Sequence, residues 1–293
     1  MKRRQRVSLG TLAAAFFAVL VVFPVLFMVM NSFMSAREAE NRYTSVVTPY
    51  NYLHSEHGEH YMEATLLPDV LTGEGYRAAV MDNQLTLRLF WNSVLLALPI
   101  LVGQLIVSPL AAFAFEMIRF RGKELLFGLY VIVMLMPLQL LMVPHYIAAE
   151  AFGYNNTYWA VILPGIFAPF GVFLLRQQMK GINRSWLEAA RMEGASEWQV
   201  FWRVVLPSVR PTMAALAVLT FADCWNIVDQ AVVFIQDSVA EPLSVYLSRL
   251  VAGNPGMVFA TACVYMFPAL LMFLWGHDNM AHGIALSSVE TGG

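Results

Sequence analysis

Four polar side chains that could hydrogen-bond a hydroxylated solute interrupt an apolar stretch in the last third of the chain. They are Asp223, Asn226, Asp229 and Gln230. On one continuous helix these positions fall within an arc of roughly 120°. A carboxylate at membrane depth costs on the order of 2.5–3.5 kcal/mol, so this face should meet a cavity or a protein neighbour rather than lipid. Two interpretations stay open: the wall of a translocation path, with Trp225 available for stacking, or hydrogen bonding to a partner helix.

The elements that carry these side chains are predicted to be membrane helices. Hydrophobic residues make up 58% of the 293 residues and charged residues 13%, whereas soluble domains carry about 25% charged residues. Six apolar segments are long enough to cross a bilayer: residues 9–30, 85–115, 125–147, 158–175, 212–234 and 258–275. The predicted fold class is an all-α membrane protein with six transmembrane helices. Other polar candidates for the path lie in these segments, namely Asn92, Gln104 and Gln139.

The first apolar segment is predicted to be a retained membrane helix, because signal-peptide apolar regions span only about 7–15 residues. Prolines inside the segments, including Pro137 and Pro169, predict kinks. We divide the chain into an N-terminal tip, first membrane helix and extracytoplasmic segment (1–84), a core domain with five membrane helices (85–276) and a cytoplasmic tail (277–293).

Basic residues predict the orientation. Four precede the first segment, three lie between the second and third, and six lie between the fourth and fifth, which makes thirteen of the eighteen in the chain. Because basic loops stay in the cytoplasm, both termini and the connection after the fourth segment of this multi-pass membrane protein are predicted to be cytoplasmic.

That connection contains a charged stretch, residues 185–211, which predicts two short helices. Ser185 with Glu188, and Ser196 with Gln199, each fit a capping box, and Gly194 fits a left-handed helix end. An apolar stripe at helical spacing follows, formed by Trp198, Phe201, Trp202 and Val205. Glu188 keeps two possible roles, as a cap of its own helix and as a contact for a partner protein.

Several catalytic and binding patterns are missing from the sequence. It has no phosphate-binding G-x-x-x-x-G-K-[ST] loop, no H-E-x-x-H and no G-x-S-x-G, so an enzyme or a direct ATP-binding protein is not predicted. His54, His57 and His60 recur at a spacing that could place three imidazoles on one helix face. Gly58 weakens a helix there, and the neighbouring glutamates favour a solvated amphipathic segment, so we predict no metal site.

The spacing within the charged stretch resembles the EAA motif of ABC importer permeases, EAA-x3-G-x9-I-x-LP. Its matching residues are Glu188, Ala189, Ala190, Gly194, Val204, Leu206 and Pro207, with Val204 in place of isoleucine. The segments "WNSVLLAL", "MLMPLQLLMVPHYI", "FGYNNTYWAVILP" and "CWNIVDQAVVF" are similar to other parts of the carbohydrate-importer branch, specifically the maltose permease G-type subunit. The resemblance covers residues 84–283.

This resemblance implies a type I ABC importer permease fold with a cytoplasmic coupling helix–turn–helix, in which Trp198, Phe201 and Trp202 serve as anchors. It implies a second homologous permease, two cytoplasmic ATPase subunits that hold ATP and Mg²⁺, an extracytoplasmic solute-binding protein, surrounding lipid and no nucleic acid. The loop 235–257 would face the binding protein, and the chain would lie in a bacterial inner membrane. The implied solute is a sugar or oligosaccharide. A glycerophosphate-type solute, or an independent secondary transporter, is the alternative.

Overall fold

The computed structural model describes residues 9–43, 65–249 and 255–290, and the side chains of residues 10–43, 65–249 and 256–276. Within these ranges every regular element is a helix. The α-helices are α1 Leu9–Asn31, α2 Ala36–Tyr43, α3 Glu74–Tyr76, α4 Gln84–Met117, α5 Lys123–Leu135, α6 Leu138–Ala151, α7 Trp159–Ile166, α8 Pro169–Lys180, α9 Arg184–Met192, α10 Glu197–Val200, α11 Arg210–Trp225, α12 Asp229–Phe234, α13 Leu243–Arg249 and α14 Pro255–Glu290. A π-helical turn, Arg77–Asp82, follows α3, and α10 continues through a second one, Phe201–Val205, into Leu206–Ser208. The histidine-rich segment lies outside the described residues.

The apolar helices agree with the predicted all-α membrane fold. In the described part of the chain, four helices are long and apolar enough to cross a membrane: Gly10–Asn31, Gln84–Met117, Trp159–Lys180 and Gly256–Gly276. Two further pairs of helices, α5 with α6 and Glu197–Ser208 with α11, are together long and apolar enough to cross a membrane, but they bend by 111° and 73°. Counting each pair as one span brings the total to six.

The third predicted span is therefore not a straight helix. Met136 and Pro137 are extended, with ψ of 136° and 138°, and they separate α5 from α6. The physical reason is the proline ring, which disfavours the α conformation in the residue before it. The helices continue through Pro24, Pro99, Pro109, Pro144, Pro164 and Pro268.

The fifth predicted span was also wrong as a single helix. It ends at Trp225, and α12 begins only at Asp229. The Asn226 side-chain amide donates to the Ala222 carbonyl at 2.8 Å, while the Asn226 backbone N–H reaches the same oxygen at 3.4 Å. A side chain that competes for a helix carbonyl in this way favours helix termination.

The chain forms two compact units, Met1–Arg88 with Tyr246–Phe267, and Leu89–Val245 with Pro268–Gly293. In the first unit, Tyr43 donates to Asn31 at 3.0 Å, and Arg42 pairs with both Glu38 and Asp69. The Tyr43 bond holds α2 against the end of α1, and the Arg42–Asp69 pair holds α2 to the segment before α3. The functional division at residues 84 and 276 stays a prediction.

In the second unit, α4 packs against α7 through reciprocal glycine contacts. A Cβ on Gly103 would lie 2.5 Å from Ile166, and a Cβ on Gly165 would lie 2.9 Å from Ile100. Small residues at such positions let membrane helices approach closely, where dispersion contacts replace the hydrophobic effect that lipid does not supply. This contact places α4 beside the connection between α7 and α8.

Replacing Gly103 with valine should destabilise the protein, because the added methyl groups collide with Ile166. Overpacking of this kind typically costs about 1–3 kcal/mol. Thermal unfolding in detergent should show a lower melting temperature for Gly103→Val. Gly128→Val is the matched control, since a Cβ at Gly128 meets no atom within 4 Å. Equal melting temperatures for the two variants would contradict the close contact.

Candidate functional site

The charged stretch folds as a helical hairpin, residues 184–208, which we call the charged hairpin. Its first helix is capped by Asn183, whose Oδ1 accepts hydrogen bonds from the Ser185 backbone N–H at 3.0 Å and the Ser185 hydroxyl at 2.8 Å. The predicted capping box of Ser185 and Glu188 is therefore wrong, because the helix starts two residues earlier, at Arg184. The second predicted box is confirmed, with Ser196 and Gln199 each bonding the other's backbone N–H.

The turn of the charged hairpin depends on Gly194, whose φ is +86°. The Gly194 N–H donates to Arg191 at 3.0 Å and the Ala195 N–H donates to Ala190 at 3.0 Å, which is the paired pattern of a Schellman motif. Arg191 also spans the turn through two hydrogen bonds to Glu197, at 2.8 and 3.0 Å. These bonds raise the pKa of Arg191 above its already high ordinary value. The turn therefore has a defined geometry.

One face of the charged hairpin is buried in the core of the second unit. Its buried residues are Leu187, Val200, Phe201 and Val205. They share one apolar cluster with Ala112 and Phe113 of α4, with α8 and with Leu216 of α11. The rings of Phe113 and Phe201 lie 5.3 Å apart at 66°. The charged hairpin is thus packed directly against three helices that belong to membrane spans.

The predicted apolar stripe is only half buried. Phe201 and Val205 lie inside, whereas Trp198 is 59% exposed and Trp202 is 50% exposed. The buried face is rotated toward Val200, and the wide π-helical turn at Phe201–Val205 departs from ordinary helical spacing. Phe201 therefore anchors the charged hairpin to its own subunit, and the two indoles remain free to contact another protein.

The outer face of the charged hairpin combines one carboxylate with large apolar side chains. Trp186, Met192, Trp198 and Trp202 are all exposed. Glu188 is exposed as well, and its carboxylate forms no hydrogen bond or ion pair with any residue in the described ranges, although its charge acts on Arg191. Since Asn183 caps the helix, Glu188 is not occupied as a cap. An exposed apolar patch around a charge is typical of a protein-docking surface.

A second candidate site is a cavity of about 950 Å³ in the second unit, within the range of small-molecule pockets. It lies among α4, α5, α6, α11, α12 and the connection between α7 and α8. The four polar residues that the sequence suggested for a translocation path all line it, namely Asp223, Asn226, Asp229 and Gln230. Gln104 and Thr220, which hydrogen-bond to each other, line it too. None of the described residues along this wall is Lys or Arg.

The tertiary structure groups these residues for a different reason than the one predicted. They do not share one helix face, because the chain breaks after Trp225 and Asp229 starts a new helix. The break redirects the chain, and both helices still border the same cavity. A polar wall built from a broken helix satisfies the rule that irregular backbone at membrane depth lines a cavity.

Three other predicted path residues lie elsewhere. Trp225 is buried and its ring stacks on Phe221 at 5.3 Å, with Phe90 at its edge, so its faces are unavailable for a solute. Gln139 is exposed but does not line the cavity. Asn92 is buried, and its amide donates to the carbonyls of Val239 and Glu241 at 2.9 and 3.0 Å.

The hydrogen bonds of Asn92 belong to a set that fixes the loop between α12 and α13. The sequence did not indicate this set. Ser93 accepts a hydrogen bond from the Leu243 N–H at 2.8 Å. Asn156, at φ of +57°, accepts one from the Gln236 N–H at 2.9 Å, and the Tyr158 hydroxyl donates to Ala240 at 3.0 Å. The adjacent polar residues in "WNSV" and "NNTY" are the sequence signal from which these loop contacts could have been predicted. They hold this loop in one conformation.

A polar cavity bordered by broken membrane helices, with an exposed charged hairpin packed on those helices, is the arrangement expected of a transport component. Over residues 89–277 the sequence matches the family described as "Binding-protein-dependent transport system inner membrane component". The chain belongs to this family. It is therefore a multi-pass component of a membrane transport system.

Relatives of known sequence extend over much or all of the chain. The arabinooligosaccharides transport system permease protein AraQ of Halalkalibacterium halodurans is 26% identical over 296 residues, covering 99% of this chain and 100% of the relative. The lactose transport system permease protein LacG of Rhizobium radiobacter is 31% identical over 204 residues, covering 69% of this chain and 74% of the relative.

A solved structure confirms the predicted type I ABC importer permease fold. It is a chain of a bacterial ABC transporter involved in the import of the acidic polysaccharide alginate, with a TM-score of 0.74 and 20% sequence identity. The match covers 96% of this chain and 99% of that one. The closer resemblance to a maltose G-type subunit stays a prediction.

Replacing Gly194 with alanine should loosen the charged hairpin, because an L-residue in the left-handed conformation costs about 1–2 kcal/mol. Hydrogen–deuterium exchange should show faster exchange of the Gly194 and Ala195 amides, which close the turn. Gly181→Ala is the control, since Gly181 has an ordinary φ of −76°. Unchanged exchange in Gly194→Ala would show that the turn does not depend on the left-handed residue.

Proposed function

We propose that this chain is the permease subunit of an ATP-driven importer that moves a sugar or oligosaccharide delivered by a solute-binding protein. It works with a second homologous permease and two ATPase subunits, which bind ATP and Mg²⁺ on the cytoplasmic side. This chain binds no nucleotide itself. The charge distribution supports an orientation in which the charged hairpin and both termini are cytoplasmic, and the loop between α12 and α13 faces the binding protein.

The observation that carries this proposal is the two-sided construction of the charged hairpin. Its inner face shares an apolar cluster with α4, α8 and α11, and its outer face exposes Glu188 with Trp186, Trp198 and Trp202. Aromatic residues around a charged group are typical of the energetic centre of protein interfaces. Movement of an ATPase subunit bound to the outer face would therefore displace the helices packed on the inner face.

Movement of those helices would reshape the cavity, because α4 and α11 contribute Gln104, Thr220 and Asp223 to its wall. Closing of the ATPase subunits would in this way change the access of the cavity from one side of the membrane to the other. Such a transition needs differential contacts in two states, and the rigid turn at Gly194 transmits displacement rather than absorbing it.

The lining of the cavity supports a sugar as the solute. Carboxylates accept hydrogen bonds from hydroxyl groups, and amides both accept and donate them. These groups come here from Asp223, Asn226, Asp229 and Gln230. The names of the two relatives, for an arabino-oligosaccharide and a lactose permease, agree with this solute class. A glycerophosphate-type solute is less well supported, because phosphate recognition favours Arg or Lys. Membership of a binding-protein-dependent family argues against an independent secondary transporter.

Glu188→Lys should separate the ATPase from the permease, because reversing a buried interfacial charge costs about 2–5 kcal/mol, more than tenfold in affinity. The tagged chain, purified from its native membranes, should lose most of the ATPase activity that co-purifies with the unaltered chain. Mass spectrometry should identify the lost subunit as a nucleotide-binding ATPase.

Glu40→Lys provides the control for this experiment, because Glu40 is an exposed carboxylate on α2, in the other compact unit. That variant should retain its ATPase. If Glu188→Lys keeps the full co-purifying activity, or if the unaltered chain carries out uptake with no ATPase present, the proposed coupling is wrong.

Asp229→Leu should slow uptake if the cavity is the solute path, because one lost hydrogen bond to a hydroxyl group is worth about 1 kcal/mol or more and its unpaired partner adds to the loss. We expect about a tenfold lower initial rate of uptake of labelled arabinotriose or lactose into proteoliposomes, at equal ATPase content. Glu40→Leu is the control, since Glu40 is an exposed carboxylate on α2 and does not line the cavity. Equal rates for the two variants would remove Asp229 from the path.

A further inference from the structure

A second link between the charged hairpin and the membrane helices is ionic. Near the end of α4, Glu116 is only 9% exposed, and its carboxylate contacts two arginines of other helices. The Arg176 Nε of α8 donates to Glu116 Oε2 at 3.1 Å, and Arg184 at the start of α9 approaches Oε1 at 3.6 Å. Since Arg184 is the first residue of the charged hairpin, Glu116 touches both the hairpin and the helix that leads into it.

The guanidinium of Arg176 is enclosed on several sides. Its side chain is 3% exposed, and its Nη2 donates to both carboxylate oxygens of Glu124 on α5, at 2.8 and 3.0 Å. Its Cζ lies 3.8 Å from the centre of the Phe127 ring. A buried cation needs such pairing, since an unpaired one would be strongly destabilising. Residues of four helices, α4, α5, α8 and α9, therefore meet at one charged cluster.

The position of this cluster gives it a directional role that the apolar core lacks. Apolar contacts between helices tolerate sliding and repacking, whereas a guanidinium with hydrogen bonds on two sides holds one rotation and one axial position of its helix. Arg176 lies one turn before the end of α8, and only residues 181–183 separate α8 from the charged hairpin. Glu116 lies on the same helix as Gln104, which lines the cavity.

We propose that Glu116 and Arg176 are positioning residues that lock the base of the charged hairpin to α4, so that displacement of the hairpin moves the cavity wall instead of only tilting the hairpin. This inference rests on the proposed function, in which the charged hairpin receives the movement of an ATPase. Neither residue touches solute or nucleotide. Their removal should uncouple ATP hydrolysis from transport rather than abolish either binding event.

The test measures solute transported per ATP hydrolysed, in proteoliposomes that contain the complete transporter and its solute-binding protein, with arabinotriose or lactose as the probe. This ratio does not depend on how much transporter folds or assembles, so a purely structural defect leaves it unchanged. For Glu116→Gln we expect the ratio to fall by about fivefold or more, the lower range of coupling between distant sites. Glu116→Asp, which keeps the charge but shortens the side chain, should give an intermediate ratio and should assemble even if the glutamine variant does not.

Glu124→Gln is the matched comparison. Glu124 pairs with the same guanidinium, but it joins α8 to α5 rather than to α4 and its side chain is 71% exposed. Its ratio should therefore fall less than that of Glu116→Gln. The inference is overturned if Glu116→Gln and Glu116→Asp keep the normal ratio, or if Glu124→Gln lowers it as strongly. If the unaltered transporter shows no ATP-dependent uptake, the proposed function fails and this inference fails with it.

Discussion

The burial of Leu187, Val200, Phe201 and Val205 against membrane helices is the constraint on which the other features depend. A short helical hairpin made of nine- and four-residue helices with a π-helical extension would be unstable alone, because helices of this length gain most of their stability from packing. The same packing leaves the opposite face exposed, with its carboxylate and its indole rings. The buried face therefore stabilises the charged hairpin, while the exposed face stays available to a partner protein.

The cavity depends on a second constraint, the cost of polar groups at membrane depth. Asp223 and Asp229 would be expensive against lipid, and irregular backbone such as that of residues 226–228 is tolerated at membrane depth only where it is buried in protein or lines a cavity. Both are tolerated because they border the same cavity. The break in the helix is thus part of the polar wall. Both α11 and α12 contribute side chains to this wall.

Local sequence patterns predicted the parts of the site that are decided locally. The glycine at position 194 and the Ser196 box were correct, because caps depend on neighbouring residues only. The Ser185 box was wrong because Asn183, two residues earlier, competes for the same amide and is a good N-cap residue. The apolar stripe was half right, since spacing identifies an amphipathic helix but does not determine which edge of its apolar arc packs inward. Trp198 and Trp202 were assigned as anchors of the same kind as Phe201, and only Phe201 is buried in this chain.

Roles that depend on contacts across the chain were beyond the reach of local patterns. Asn92 and Trp225 look like path residues because both are polar or aromatic groups in apolar segments, yet their partners lie at Val239 and Glu241 in one case and at Phe221 and Phe90 in the other. The cluster of Glu116, Arg176 and Glu124 was missed for the same reason, because its members are separated by long stretches of chain and each resembles an ordinary charge at a helix end.

The sequence by itself determined that the chain is an all-helical membrane protein, where its apolar segments lie, and that a capped helical hairpin with an importer-type spacing interrupts them, because hydropathy, capping and motif spacing are local properties. Only the tertiary structure decided which face of that hairpin is buried, where the third and fifth spans break, and which polar groups share a cavity and which hold a loop. Those outcomes follow from packing between helices, where residues far apart in sequence compete for the same space and the same hydrogen-bond partners.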